Sequence, residues 1–285
     1  MPVYQITYHT TNEYSEFIHE AILEFLVFPA SIPGQKIKSI HFEHQPVSQY
    51  YTSENCFGFE LLRFRIKNLE KNFSFTLKAS VEKEETNPFE FSFLPVEEEY
   101  KIINTPGFQI DNYLFLNIGE HTQIPVRFDF PKKEKTEGVF QFVQQVNQFV
   151  HSEIKYDNLV DDPHRLLQAT INERRGVCQD YAHLMLAILR KNKIPARYVS
   201  GYLNPGENAV GASAVHAWVE AYVPNAGWIG FDPTNNLLED HHYVKIAHGI
   251  DINDCTTLKG VIKGRGTNQT NYHVLVEEQN KEANQ

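Results

Sequence analysis

The chain has 285 residues, 41% apolar and 22% charged, which excludes a disordered chain and, at roughly 100–200 residues per domain, predicts two domains. Its 26 basic and 36 acidic side chains leave a formal charge of −10, which repels phosphate and argues against a nucleic-acid partner. Met1-Pro2-Val3-Tyr4 lacks the basic-then-apolar start of a secretory signal, and no stretch approaches the roughly 18 apolar residues of a membrane span. Cys56, Cys178 and Cys255 are odd in number and never form a C-x-x-C pair, so the expectation is a cytoplasmic protein with free thiols and no membrane partner.

From residue 1 to about 130 the pattern is short and strand-like. Tyr4–Tyr8, Lys36–Ile40 and Leu62–Ile66 alternate, and Phe73–Val81 carries an apolar or small residue at every odd position. With turn signals such as Ser53–Gly58 between them, these runs predict an antiparallel β-sandwich over residues 1–130. The composition shifts at Phe130-Pro131-Lys132-Lys133-Glu134-Lys135, which sets a second domain at 131–285. There Val139, Phe142, Val143, Val146, Phe149 and Val150 recur at helical steps and predict an amphipathic helix to about Glu153. Asp162, Pro163 and His164 open a second helical stretch, with Pro163 in its first turn. Gly176 breaks the chain, and a long apolar helix runs from Cys178 to near Asn192. Arg197–Leu203, Val215–Val223, Trp228–Asp232 and Tyr272–Val276 read as strands, and Glu277–Gln285 as a polar tail.

Cys178 begins a helix, where unsatisfied N–H groups and the helix dipole favour a thiolate and can hold an oxyanion. A cysteine packed as a small hydrophobe is the alternative. His183 lies about 140° around the same helix, so a base must come from elsewhere. His216 shares one strand face with Trp218, Glu220 and Tyr222, either an exposed stripe or the wall of a cleft. Asp232 ends the next strand and either orients the histidine or caps a turn before Pro233. Register decides between them. A plain four-residue loop pairing Val223 with Trp228 turns Asp232 away, whereas Tyr222 paired with Trp228 makes it the diagonal neighbour of His216. His241, His242, His248 and Cys255 cluster in sequence without the spacing of a zinc site, so neither metal nor cofactor is expected.

Gly176–Leu184, Ile194–Tyr202, His216–Glu220 and Gly227–Asn235 resemble the core blocks of bacterial transglutaminase-like proteins, in the same Cys, His, Asp order. The resemblance implies an α+β, papain-like core in which the cysteine heads a helix packed on an antiparallel sheet, preceded by an N-terminal sandwich. It makes Cys178 the nucleophile, His216 the base and acid, and Asp232 the orienting residue. The implied reaction is acyl transfer on a peptide or glutamine-type amide through a thioester, and hydrolysis is the expected outcome. Resolution by an amine, as in a transglutaminase, and a non-catalytic binding module are the alternatives. Gly249-Ile250-Asp251-Ile252 departs from the Gly-Arg-Asp-Tyr of the family. Asn172 and Tyr156 are the candidates for a second oxyanion donor. Asp232→Asn is expected to be milder than loss of His216, because an amide can still accept a bond from the imidazole.

Overall fold

The structure is a computed structural model and describes residues 1–69, 71–85, 89–125, 127–160, 162, 165–204 and 214–279. Six strands come first: β1 (Val3–Tyr14), β2 (Ile18–Phe25), β3 (Gln35–Gln45), β4 (Gln49–Glu54), β5 (Glu60–Leu69) and β6 (Asn72–Lys83). Tyr4, Ile6 and Tyr8 on β1, and every odd residue from Phe73 to Val81 on β6, are buried, which is the period-two signature of sheets facing a core.

Residues 96–122 are largely helical, contrary to the strand-like reading of this stretch. They form α1 (Val96–Ile103), α2 (Pro106–Asp111), α3 (Tyr113–Leu116) and a 3₁₀ turn at Glu120–Thr122. Three glutamates in the first turn of α1 suit the positive end of its dipole. This segment attaches to the second half of the chain: Glu99 Oε2 accepts from Val139 N (2.8 Å) and the Asn117 carbonyl accepts from Arg190 Nη1 (3.1 Å).

The next elements are α4 (Val139–Glu153), β7 (Lys155–Tyr156), α5 (Leu167–Glu173), β8 (Arg175–Gly176) and α6 (Cys178–Lys191). After them come β9 (Ala196–Leu203), β10 (His216–Val223), β11 (Gly227–Asp232), β12 (Leu237–Leu238), β13 (Tyr243–Gly249) and α7 (Ile252–Cys255). α4 has the span its periodicity predicts. α5 begins at Leu167, and the expected first turn at Pro163 and His164 lies outside the described residues. Five strands form an antiparallel sheet in the order β12-β11-β10-β9-β13, with α6 packed on β9 and β10. The second face of β10 is not an exposed stripe. Trp218 packs with Val199, Leu203 and Tyr243, and buried Glu220 accepts from Lys245 Nζ (2.6 and 2.7 Å) and from Arg197.

Two last strands, β14 (Leu258–Gly264) and β15 (Asn268–Glu278), correct the expected division at residue 131. They leave the core and complete the sandwich, whose sheets run β15-β1-β6-β3 and β14-β2-β5-β4. β15 pairs with β1 from Tyr4↔Glu278 to Tyr14↔Asn268. The polar run expected from Glu277 therefore starts as strand, because Glu277 and Glu278 sit opposite Gln5 and Tyr4; residues 280–285 lie outside the described residues. Phe25, Phe64, Phe73 and Phe75 from the two sheets meet between them. Sandwich and core are joined by the segment after β2, where Ala30 N donates to the Lys245 carbonyl (2.8 Å) and Tyr202 Oη to the Val27 carbonyl (2.6 Å).

Candidate active site

The helix that carries Cys178 is braced from behind. Asp180 reaches back from the first turn of α6, accepting from Val177 N (2.8 Å) through Oδ2 and from Thr170 Oγ1 (2.7 Å) through Oδ1. This satisfies an N–H that the helix cannot, as in half of a capping box. Burial raises the pKa of Asp180, and the bonds from Thr170 and Val177 oppose the rise. Gly176 must be glycine here, since a Cβ would stand 2.5 Å from Asp180 Oδ2. The short parallel pairing of β7 with β8 sets Tyr156 opposite Gly176, next to the same turn.

The β10–β11 hairpin adopts the register that unites the other two residues. Tyr222 pairs with Trp228 and Val223 with Gly227. The loop closes over three residues, with Asn225 (φ 70°) and Gly227 (φ 80°) in the left-handed region that Asn and Gly tolerate. Asp232 Oδ2 thus lies 2.8 Å from His216 Nε2, and both side chains are buried.

Among the described residues, five donors converge on Asp232. Oδ2 accepts from His216, from Tyr243 Oη (2.9 Å) and from Asn235 Nδ2 (2.7 Å), while Oδ1 accepts from the backbone N–H groups of Thr234 (2.9 Å) and Asn235 (3.2 Å). Burial works against its ionisation, but the charge of His216 and these bonds hold the carboxyl below its ordinary value. Burial likewise works against a charged imidazole. The charge and hydrogen bond of Asp232, joined by the interaction with Cys178, prevail and raise His216 to about 10. With Nε2 held by Asp232, Nδ1 is the nitrogen left for an interaction with Cys178, and among the described residues it makes no hydrogen bond. Imidazole and carboxylate are thus joined by a hydrogen bond, and the Cys178 thiol lines the same cavity as the imidazole.

Cys178 and His216 open on a cavity of about 910 Å³ between core and sandwich, lined by Tyr156 and Tyr198 on one side and Tyr8, Asn12 and Leu23 on the other. Of the two expected oxyanion donors, Asn172 is exposed, accepts from Gln168 (2.9 Å) and does not line this cavity. Tyr156 does line it. Burial, then the neighbouring charges of Cys178 and Tyr272, push its phenol up to about 12, so it stays a neutral donor at pH 7. His183 is buried away from the cleft and stacks on His121 at 5.0 Å. Burial, His121 and Arg190 bring its pKa down to about 3.

Among the described residues, Asp240, His241 and His242 place possible ligand atoms within 4.8 Å of one another, without His248 or Cys255. Asp240 already accepts from His242 Nδ1 (3.0 Å). The sequence reading missed Asp180, Asn235 and Tyr243. Asp180 had a signal, an acid at the third helical position. Asn235 stood in a block already singled out, whereas Tyr243 comes from a separate strand and carried no local sign.

Residues 128–233 match the family model described as the transglutaminase-like superfamily, and this part of the chain is a transglutaminase-like domain. An uncharacterised protein of Mycobacterium leprae is 44% identical over 111 residues, 38% of this chain and 38% of that protein. A protein-glutamine gamma-glutamyltransferase of Pseudomonas aeruginosa is 46% identical over 84 residues, 27% of this chain and 12% of that protein. The chain thus spans well under half the length of these curated relatives. A solved structure from Cytophaga hutchinsonii, provisionally described as a cysteine protease, superposes with a TM-score of 0.77 at 22% identity, over 99% of this chain and 92% of that one. The shared fold therefore takes in the sandwich as well as the core. Among the described residues no helix is long and apolar enough to cross a membrane.

Proposed function

We propose that the protein is a thiol-dependent acyltransferase acting on a peptide or glutamine-type amide, with hydrolysis as its principal outcome. The observation that carries this reading is His216, held by Asp232 at one nitrogen and lining one cavity together with Cys178. The Cys178 thiolate adds to the amide carbonyl carbon, and the oxyanion is met by N–H groups at the start of α6 and by Tyr156. The C–N bond then breaks as His216 Nδ1 gives its proton to the leaving amine, which leaves a thioester on sulfur. His216 next takes a proton from the incoming nucleophile, which attacks the thioester and releases the thiolate. Water yields an acid and an amine yields a new amide. The name of the Pseudomonas relative favours the second outcome, but nothing among the described residues lining the cleft singles out an amine, and water is abundant. The three free cysteines support a reducing compartment such as the cytoplasm.

The test is a panel of glutamine and short peptide amides, with mass spectrometry of the intact protein to find an acyl adduct on Cys178. Adding hydroxylamine or a primary amine then reports whether the acyl group goes to water or nitrogen. Turnover by Cys178→Ala at the wild-type rate would sink the mechanism.

A further inference from the structure

Asp240, His241 and His242 are consecutive in the chain, so no helical period can bring them together and a turn must. β12 ends at Leu238 and β13 begins at Tyr243. Between them Asp240 folds the chain back on its own side chain. His242 N donates to Asp240 Oδ1 (2.9 Å) and Tyr243 N to the Asp240 carbonyl (3.2 Å). Both flanks of the turn are tied down. Glu239 N donates to the Gly230 carbonyl (2.9 Å), Trp218 Nε1 to Glu239 Oε2 (2.8 Å), and Asn204 N to the His242 carbonyl (3.0 Å). The turn is therefore set before any ligand arrives.

It gathers a carboxylate and two imidazoles. One ligand atom from each residue lies within 4.8 Å of the others, and the two ring centroids are 4.0 Å apart. His242 Nδ1 stands 3.0 Å from both carboxylate oxygens of Asp240. Adjacent ligands of an ion bound at about 2.0–2.2 Å are themselves separated by about 3 Å, so the proton between this nitrogen and the carboxylate occupies a place that an ion fits. The side chains of His242 and Asp240 are 35% and 38% exposed, which leaves the remaining coordination positions to water. The donor set selects the ion. Two nitrogens and a carboxylate suit zinc, nickel or copper(II), whereas calcium and magnesium take shells of oxygen. Without a cysteine in the cluster, copper(I) is not favoured.

We propose that Asp240, His241 and His242 form a surface site for a divalent transition-metal ion of the zinc or nickel type. The ion replaces the proton that His242 Nδ1 shares with Asp240, and water completes its shell. It has no part in bond breaking, and the site stands independently of the amide-processing reading. Tyr243, the next residue, donates to Asp232 through its hydroxyl (2.9 Å), so the ion fastens the turn from which that support reaches Asp232.

The test uses the Cys178→Ala protein, stripped of metal with a chelator, so that the reactive thiol does not compete. Zinc chloride and, separately, nickel chloride are titrated in by calorimetry, and each should bind at about one ion per chain. Asp240→Asn keeps an acceptor for the His242 N–H, and His241→Ala leaves the hydrogen bonds of the turn in place, so both variants should fold. Each should weaken binding by about tenfold or more. His41→Ala, which removes an exposed histidine of β3, should leave the affinity unchanged. Zinc should also raise the thermal midpoint of the Cys178→Ala protein, and adding His241→Ala should shrink that rise. No binding of either ion up to about 1 mM, or an affinity that stays within about threefold in both Asp240→Asn and His241→Ala, would overturn the site. A loss in His41→Ala as large as that in His241→Ala would overturn it as well.

Discussion

Replacing Asp232 with asparagine tests the geometry of the site most directly. The carboxylate offers two oxygens to five donors, and an amide offers one. If the amide oxygen faces the Thr234 and Asn235 backbone, its NH₂ group meets His216, Tyr243 and Asn235 Nδ2. The imidazole then accommodates it only by leaving Nε2 bare and carrying its proton on Nδ1, the nitrogen that must accept one from Cys178. If the amide is turned around, the buried N–H of Thr234 and the part-buried N–H of Asn235 lose their acceptor. One or two unpaired donors at about 1–3 kcal/mol each give a destabilisation of about 3 kcal/mol. The wrong tautomer should slow acylation of Cys178 by roughly 10³-fold, about 4 kcal/mol of barrier. This is a heavier loss than the sequence alone suggested, because the sequence did not show how many donors share the carboxylate. Denaturant unfolding measures the first quantity, and the rate of adduct formation on Cys178 the second. A folded Asp232→Asn protein acylated within about tenfold of the wild-type rate would refute the tautomer argument.

Iodoacetamide should alkylate Cys178 faster than exposed Cys56, and Cys255 slowest, since burial pushes that thiol well above its ordinary range; equal rates at Cys56 and Cys178 would remove the case for an activated thiol. Gly176→Ala should displace Asp180 from the Val177 N–H, costing about 1–3 kcal/mol in urea unfolding and slowing acylation of Cys178. The pKa of His216 rises on folding from 6.5 to about 10, so its contribution to stability is complete below about 6.5 and is lost as pH rises through 10. The stability difference between wild type and His216→Ala should accordingly shrink between pH 7 and pH 10.5, and a constant difference would contradict the buried ion pair.

What the sequence disclosed followed from periodicity and adjacency. The buried odd positions of Phe73–Val81 and the helical stripe from Val139 to Val150 each face one core, so their periods survive folding. The sequence allows two hairpin registers differing by one residue, and Asn225 with Gly227 supports the one that folds. β13 leaves no period in the sequence because nearly all of Tyr243–Gly249 is buried on both faces, which erases alternation. β14 carries two glycines in seven residues and is mostly exposed, so it has little apolar pattern to read. α1 is not legible because Glu97, Glu98 and Glu99 dilute its apolar spacing. The return of the last strands to β1 and β2 is a pairing between distant residues, and nothing local announces it.

That return dictates a schedule for synthesis. Tyr4 finds its partner in Glu278, so the neighbour of β1 leaves the ribosome last among the paired strands. At about 5–20 residues per second the wait is on the order of 10–50 s, during which β1 and β2 each lack one of their neighbours. An edge left open invites pairing with other chains, and the polar Gln5, Thr7, His9, Thr11 and Glu13 on the outward face of β1 are a defence against it. The core between the two halves of the sandwich is contiguous and emerges complete while the sandwich is still unfinished. Cys178, His216 and Asp232 are therefore made after Tyr8, Asn12 and Leu23 but before Thr270 and Tyr272, and the nascent protein passes through a stage in which the facing wall of the cavity is only partly built.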